Sequence, residues 1–166
     1  MSNVRFISDL HLGHENQAIK RRGFPDIYNH DEYIITRWNL TVHKKDLTFI
    51  LGDLTMEKCT YENFKRLTGR KVIVGGNHDP KGAAKYLLDN QLIEAYIGCM
   101  KYKSKQYGKF WLTHIPIHPK ELDYKVNYNI HGHIHNGKIE DKRYINVCAE
   151  VIDYKPKLLS ELMHEK

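Results

Sequence analysis

The chain has 166 residues, 41% of them hydrophobic and 28% charged, with a formal net charge of +6 and a pI near 9.1. This length suits one domain with a sizeable core, residues 1–166, and no apolar run approaches the roughly 20 residues that span a bilayer, which excludes a transmembrane helix. The basic balance favours an anionic substrate, a phosphate ester or nucleic acid, although the same charge serves solubility alone. Cys59, Cys99 and Cys148 are widely spaced and form no C-x-x-C pair. They read as reduced thiols rather than a disulfide framework or a zinc ribbon. The first residues run straight into a strand without the apolar region of a signal peptide, so the expected location is cytoplasmic.

In chain order, residues 4–7 read as a buried strand that releases Ser8, Asp9, Leu10 and His11 at its C-terminal end. Residues 16–22 can start a helix that Gly23 and Pro25 stop. From 31 to 42, Tyr33, Ile34, Trp38 and Val42 recur at helical spacing, with Asp31 as the N-cap. A turn at 44–46 leads to a strand, 47–51, which ends in Gly52-Asp53. Residues 60–67 read as a helix on Tyr61, Phe64 and Leu67, and 71–74 as a strand that runs into Gly75-Gly76-Asn77-His78-Asp79-Pro80. A helix over 81–90 completes a βαβαβα order, which predicts a parallel sheet with right-handed crossovers. The second half reads as strands at 95–103, 109–112, 127–131 and 143–147 with a last helix at 158–164, predicting a second, more antiparallel sheet. Residues 101–109 form a Lys/Tyr-rich hairpin, suited to single-stranded nucleic acid or to a lysine-defended edge. Trp38, Phe49, Phe64 and Trp111 read as core.

The strand ends share one property: each carries Asp, Asn or His. Asp9, His11, Asp53, Asn77, His114, His133 and His135 supply mixed carboxylate, amide and imidazole donors. Such a set suits Mn²⁺, Fe, Zn²⁺ or Ni²⁺ better than Ca²⁺. One four-coordinate ion cannot use all of these donors, whereas two ions sharing Asp53 can. In a two-metal site about 3.5–4 Å across, a bridging water is acidified and a phosphate is clamped for in-line attack. His78 is then one imidazole more than the metals need and can donate a proton to the leaving oxygen. Its neighbour Asp79 can orient that ring. His14, His118 and His131 are candidate substrate contacts, as are Arg21 and Arg22, whose guanidinium forks suit phosphate. His30, His43 and His164 read as surface residues.

The order D-x-H…G-D…G-N-H-D…H…G-H-x-H, from Asp9 to His135, resembles the calcineurin-like metallophosphoesterases. The stretches around Asp9 and His114 look most like the small single-domain members of phages and bacteria. The resemblance implies a four-layer α/β-β/α sandwich of two mixed sheets flanked by helices. It implies two divalent ions, manganese first: Asp9, His11 and His135 on one, Asn77, His114 and His133 on the other, Asp53 bridging, and His78 acting on substrate. One departure stands out. The family pattern after Gly-Asp has a second acidic residue and a glycine, where this chain has Leu54, Thr55 and Met56.

The expected activity is hydrolysis of a phosphodiester, nucleotide-derived, by metal-activated water without a covalent enzyme intermediate. The alternatives are a nuclease on single-stranded or end-processed nucleic acid, and a protein-binding scaffold with a vestigial site. Substrate choice is expected in the loops 13–31, 55–59, 116–126 and 136–143. No membrane partner is expected, and the sequence leaves the oligomeric state open.

Overall fold

A computed structural model describes residues 2–55, 61–123 and 125–164. The first sheet contains β1 (Val4–Ile7), β2 (Leu47–Leu51), β3 (Arg70–Val74) and β4 (Ala95–Ile97), all parallel. A short β9 (Lys157–Leu158) pairs antiparallel with β1 and completes the order β4-β3-β2-β1-β9. The helices α1 (Ile27–Asn39), α2 (Tyr61–Lys65) and α3 (Ala83–Asp89) are the crossovers, and α4 (Leu159–His164) follows β9. The second sheet has the order β5 (Met100–Ser104), β6 (Gly108–Leu112), β7 (Tyr128–His131), β8 (Tyr144–Asn146). The architecture is therefore α/β, two mixed sheets flanked by helices. Among the described residues no helix is long and apolar enough to cross a membrane.

The sheets meet through aromatic faces. Phe6 and Phe49, paired across β1 and β2, stack with centroids 5.6 Å apart, and Tyr102 of the second sheet stands edge-on to both, at 5.6 and 5.9 Å. Phe110 stacks on Tyr128 at 5.1 Å, and Leu112 and Ile130, two residues further along the same strands, share their face, whereas Ile7 and Ile50 point to the opposite face of the first sheet. Each buried aromatic removes about 150–250 Å² from water, which makes this layer the main cohesive contact between the sheets.

Four sequence expectations are corrected. The strand expected at 95–103 breaks around Gly98, so that β4 completes the first sheet and β5 opens the second. The second sheet is mostly parallel. Only β5 and β6 run antiparallel, because the connections from 112 to 128 and from 131 to 144 are long enough to cross over. Helix α1 starts earlier than expected: Asp26 is its N-cap, accepting from Asn29 N–H at 2.7 Å, which leaves Asp31 buried inside it. Trp111 lies half-buried under the Lys101 ammonium, 4.6 Å from its ring centre, while Trp38, Phe49 and Phe64 are core as expected.

Asp46, ahead of β2, ties three segments together. Its carboxylate accepts from Asn3 N–H (2.9 Å), His43 N–H (3.2 Å) and Arg5 Nε (3.1 Å), and Arg5 Nη1 also donates to Pro156 O at 3.1 Å. Burial acts to raise the Asp46 pKa, but these donors outweigh it and hold the pKa at about 2, below the ordinary 3.8. A depressed folded value means that the carboxylate stabilises the fold fully above the unfolded value and loses that contribution as pH falls towards the folded one. Asp46→Ala should therefore cost on the order of 3–5 kcal/mol at neutral pH, since it strands Arg5. In acid titrations followed by circular dichroism, the loss of stability between about pH 4 and pH 2 should be shallower in the variant than in the parent.

Candidate metal centre

The backbone that follows β1 continues pairing beyond the strand. Asp9 N–H donates to Gly52 O at 3.0 Å, His11 N–H to Asp53 O at 2.9 Å, and Leu12 N–H to Leu54 O at 3.1 Å. Ser8 meanwhile exchanges bonds with the segment after β8, accepting from Ala149 N–H at 3.0 Å and donating to Val147 O at 2.9 Å. These bonds join the C-terminal ends of both sheets at Asp9. Five candidate ligands there hold a left-handed backbone: Asp9 (φ 56°), His11 (φ 50°), Asp53 (φ 53°), His133 (φ 72°) and His135 (φ 49°). Residues with a Cβ adopt that region at a cost of about 1–3 kcal/mol each, and such strain concentrates at functional sites. Two glycines make the close approach possible. A Cβ on Gly76 would lie 2.2 Å from Asp53 Oδ1, and one on Gly132 would lie 2.3 Å from Asp9 Oδ2.

The side chains converge. Asp9, His11 and His135 offer ligand atoms within 4.8 Å of one another, and so do Asp9, Asp53 and His114. His11 Nε2 lies 3.7 Å from Asp9 Oδ1 and 3.6 Å from Asp53 Oδ2, His114 Nε2 3.5 Å from Asp53 Oδ1, and His135 Nε2 3.9 Å from Asp9 Oδ1. Asn77 Oδ1 is 2.8 Å from His114 Nε2 and 3.0 Å from His133 Nδ1. Asp53 directs one carboxylate oxygen to each half of the cluster. Asp9 Oδ1 and His11 Nε2 are buried without a hydrogen-bond partner among the described residues. A buried unpartnered polar atom costs about 1–3 kcal/mol, and at 3.7 Å these two atoms are too far apart to satisfy one another by a hydrogen bond. A cation is the partner that such a set lacks, so the residues fit a divalent metal.

The electrostatics agree with that fit. Burial works to raise the Asp9 pKa, yet the His11 imidazole and the His133 N–H outweigh it and hold the carboxyl well below the usual range. Burial likewise opposes the ionised form of Asp53, but His114 keeps that carboxyl lowered. Burial disfavours charge on His114, but Asp53 raises its pKa, and its Nδ1 faces Leu51 O at 2.8 Å. A carbonyl only accepts, so Nδ1 carries a proton and Nε2 is the atom turned to the cluster.

The remaining predicted residues divide. His78 is exposed, with its ring 5.8 Å from that of His11 and its N–H donating to Asp53 Oδ1 at 2.9 Å. His14 lies beside it, 5.2 Å from the His11 ring, and both border a cleft of about 770 Å³ with His135 and Arg21. Asp79 does not orient His78. Its carboxylate accepts from Leu54 N–H (2.9 Å), Gly76 N–H (2.8 Å) and Tyr96 Oη (3.0 Å), clamping the 76–79 turn against the end of β2. Arg22 is buried rather than substrate-facing, donating to Asp9 O (2.5 Å), Leu10 O (3.1 Å) and Glu150 Oε2 (2.6 Å). His131 is buried with its Nδ1 2.9 Å from Gly132 O and its ring against Tyr144, and His118 caps the turn Pro119–Leu122. His30, expected at the surface, is fully buried between Asp31 (2.7 Å) and Arg22 (2.9 Å), whereas His43 and His164 are exposed. The tip of the Lys/Tyr hairpin lies at the end of β6 opposite to His114 and does not border the cleft. Most of the 55–59 loop, with Met56 and Cys59, lies outside the described residues, and so does Tyr124 of the 116–126 loop.

Three contacts were not foreseen. Glu150 Oε1 stands 2.5 Å from His135 Nδ1, Gln17 Nε2 stands 3.2 Å from the same nitrogen, and Cys148 Sγ donates to Asp9 Oδ2 at 3.2 Å. No sequence spacing marks Glu150, because it reaches His135 only through the bond between β1 and the segment after β8.

These features define a class: an α/β protein of two mixed sheets with a buried Asp/His cluster at their joined strand ends. No protein-family model matches the chain. It belongs to the family of the uncharacterized protein MJ1445 of Methanocaldococcus jannaschii, to which it is 31% identical over 174 residues, 94% of this chain and 86% of that protein. It is also similar to the Gene 66 proteins of mycobacterium phages L5 and D29, at 36% and 39% identity over 85 residues, 48% of this chain and 41% of each phage protein. The crystal structure of AQ665, a protein of unknown function from Aquifex aeolicus, shares the fold, with a TM-score of 0.79 over the full length of both chains at 24% identity.

The Glu150 contact raises the His135 pKa above its ordinary 6.5, against the lowering effect of burial. In metal-free protein followed by histidine NMR, His135 should titrate above that value, and Glu150→Gln should bring it down. A raised folded value also means that the His135 charge stabilises the fold below its unfolded pKa and loses this effect as pH rises through the folded one, while on the acid side the pair lasts until Glu150, whose pKa is lowered, takes up a proton. An unmoved His135 titration would show that Glu150 does not hold the ring.

Proposed function

We propose that this chain is a metal-dependent phosphoesterase of the calcineurin-like metallophosphoesterase type, with the four-layer α/β-β/α form of the fold and a phosphodiester as its substrate. The observation that carries this reading is the buried pair Asp9 Oδ1 and His11 Nε2, unpartnered where Asp53, His114 and His135 converge. Asp9, His11 and His135 would hold one divalent ion and Asn77, His114 and His133 the other, with Asp53 between them. Manganese comes first, and iron, nickel or zinc suit the same mixed donors. Such ions, when bound, supply an acidified water and neutralise charge that grows on the phosphoryl oxygens.

The chain's own part follows from the geometry. His78 stands exposed at the cleft and donates a proton to the leaving oxygen, or a hydrogen bond to a phosphoryl oxygen. Burial, with the His11 and His78 imidazoles nearby, lowers the His14 pKa, which favours the neutral ring, able to hydrogen-bond without adding charge. Ser8 and Cys148, the hydroxyl and thiol that contact Asp9, are buried, and burial pushes the thiol pKa far up. Neither can reach a phosphate in the cleft, which favours direct hydrolysis over a covalent intermediate. The cleft of about 770 Å³ leaves room for a group on either side of the phosphate, which favours a diester.

The test begins with metal-free protein, restored singly with Mn²⁺, Ni²⁺, Zn²⁺ or Mg²⁺ and assayed on a generic phosphodiester and a generic monoester. Metal-restored diester cleavage is the expected result. Metal binding without turnover of diester, monoester or single-stranded nucleic acid would favour a scaffold. His78→Ala should retain its metal content by elemental analysis and lose turnover by about 10²–10⁴-fold. Asp53→Ala should lose both ions together; one fully occupied ion with persisting activity would refute the shared role of Asp53.

A further inference from the structure

The cleft has a second wall. Residues Gln17–Arg21 form one wide helical turn, closed by Arg22 N–H donating to Gln17 O, five residues back, at 3.0 Å. Insertions of this type recur at functional sites because the extra residue re-aims the side chains on either side of it. Both ends of the turn lie against the candidate metal centre. Gln17 reaches His135 at 3.2 Å, and Arg22 donates to Asp9 O and Glu150. Between these anchors Lys20 and Arg21 border the same cleft as His78 and His135.

The charge of this wall is uncompensated. The chain has seven arginines, and six are ion-paired: Arg5 with Asp46, Arg22 with Glu150, Arg37 with Asp153, Arg66 with Glu32, Arg70 with Glu94, and Arg143 with Asp123 and Asp141. Arg21 has no ion-pair or hydrogen-bond partner among the described residues, and Lys20 has no ion pair there. Among the described residues the one carboxylate that borders the cleft, Glu150, is already committed to Arg22 and His135. Two cations on one wall of a cleft that Asn136 also borders match an anion with several acceptor oxygens, and a guanidinium fork takes a phosphate through two parallel bonds.

We propose that Lys20 and Arg21 form a second anion subsite, which receives a non-reacting phosphate of the substrate while another phosphate lies at the metal centre. The substrate class is thus a phosphodiester that carries at least two phosphates. The assignment of the reacting phosphate rests on the phosphoesterase reading above; the subsite itself is testable by binding alone.

The experiment uses metal-loaded protein and its Lys20→Ala/Arg21→Ala double variant, both residues being exposed and outside the core. Three probes are compared: a dinucleoside monophosphate, the same compound with a terminal 5′-phosphate, and a pyrophosphate-linked dinucleotide. The parent should prefer a two-phosphate probe in kcat/KM, and the double variant should lose roughly 10- to 100-fold of that preference, the worth of one or two charge-assisted bonds. Preference for the 5′-phosphorylated probe would identify a nucleic-acid strand end, and preference for the pyrophosphate a nucleotide with adjacent phosphates. Equal use of all three probes by the parent, or an unchanged preference in the variant, would overturn the subsite and leave the phosphoesterase reading intact. If no probe is hydrolysed, calorimetry separates the two ideas. Binding of a two-phosphate probe that weakens in the variant would support the subsite and count against the catalytic reading, whereas equal binding by both proteins would overturn the subsite.

Discussion

Carboxylate and imidazole side chains brought face to face, with Asp9, His11, Asp53 and His114 buried and His135 half-buried, set the terms for the rest of this structure. Their ligand atoms form two groups, Asp9 with His11 and His135 and Asp9 with Asp53 and His114, each within 4.8 Å. They are kept together by backbone bonds that extend β1 past its end and tie it to both the β2 end and the segment after β8. Left-handed backbone at five candidate ligands, Asp9, His11, Asp53, His133 and His135, accompanies this convergence. That conformational cost is offset by the aromatic layer between the sheets and by the hydrogen bonds of the clamped loops.

Behind the cluster stands a second set of charged groups linked by hydrogen bonds. Asp31 accepts from Gly13 N–H at 3.0 Å and Asn63 Nδ2 at 2.9 Å and contacts His30. His30 contacts Arg22, Arg22 donates to Glu150, and Glu150 meets His135. This chain of contacts runs from helix α1 to the cluster and links segments far apart in sequence. Partners of this kind fix ring orientation at metal sites, because an imidazole that donates from one nitrogen presents the other. The same Arg22 fastens one end of the wide turn at Gln17–Arg21 and leaves Arg21 free to face the cleft.

The motif residues were legible in the sequence because each follows a short apolar run that can only be a strand, and glycine marks the close approaches at Gly76 and Gly132. The parallel first sheet was legible for the same reason: βαβ order fixes its sense and hand. Roles that depend on direction were not. Asp79 follows His78 in the chain, yet its carboxylate turns back to the ends of β2 and β4. Arg21 and Arg22 are neighbours of one type, yet Arg22 turns inward to Asp9 O, Leu10 O and Glu150 while Arg21 borders the cleft.

The sequence by itself determined the strand-and-turn order, the donor types and their placement at strand ends, since these follow from local periodicity and from glycine and proline stops. Tertiary structure alone decided that Glu150, Gln17 and Cys148 join the cluster, that Asp31 and His30 are buried, and that the second sheet is mostly parallel. The physical reason is contact distance along the chain. His135 and Glu150, or Asp9 and Cys148, meet only after two sheets have packed, and no local pattern encodes a meeting between segments 139 residues apart.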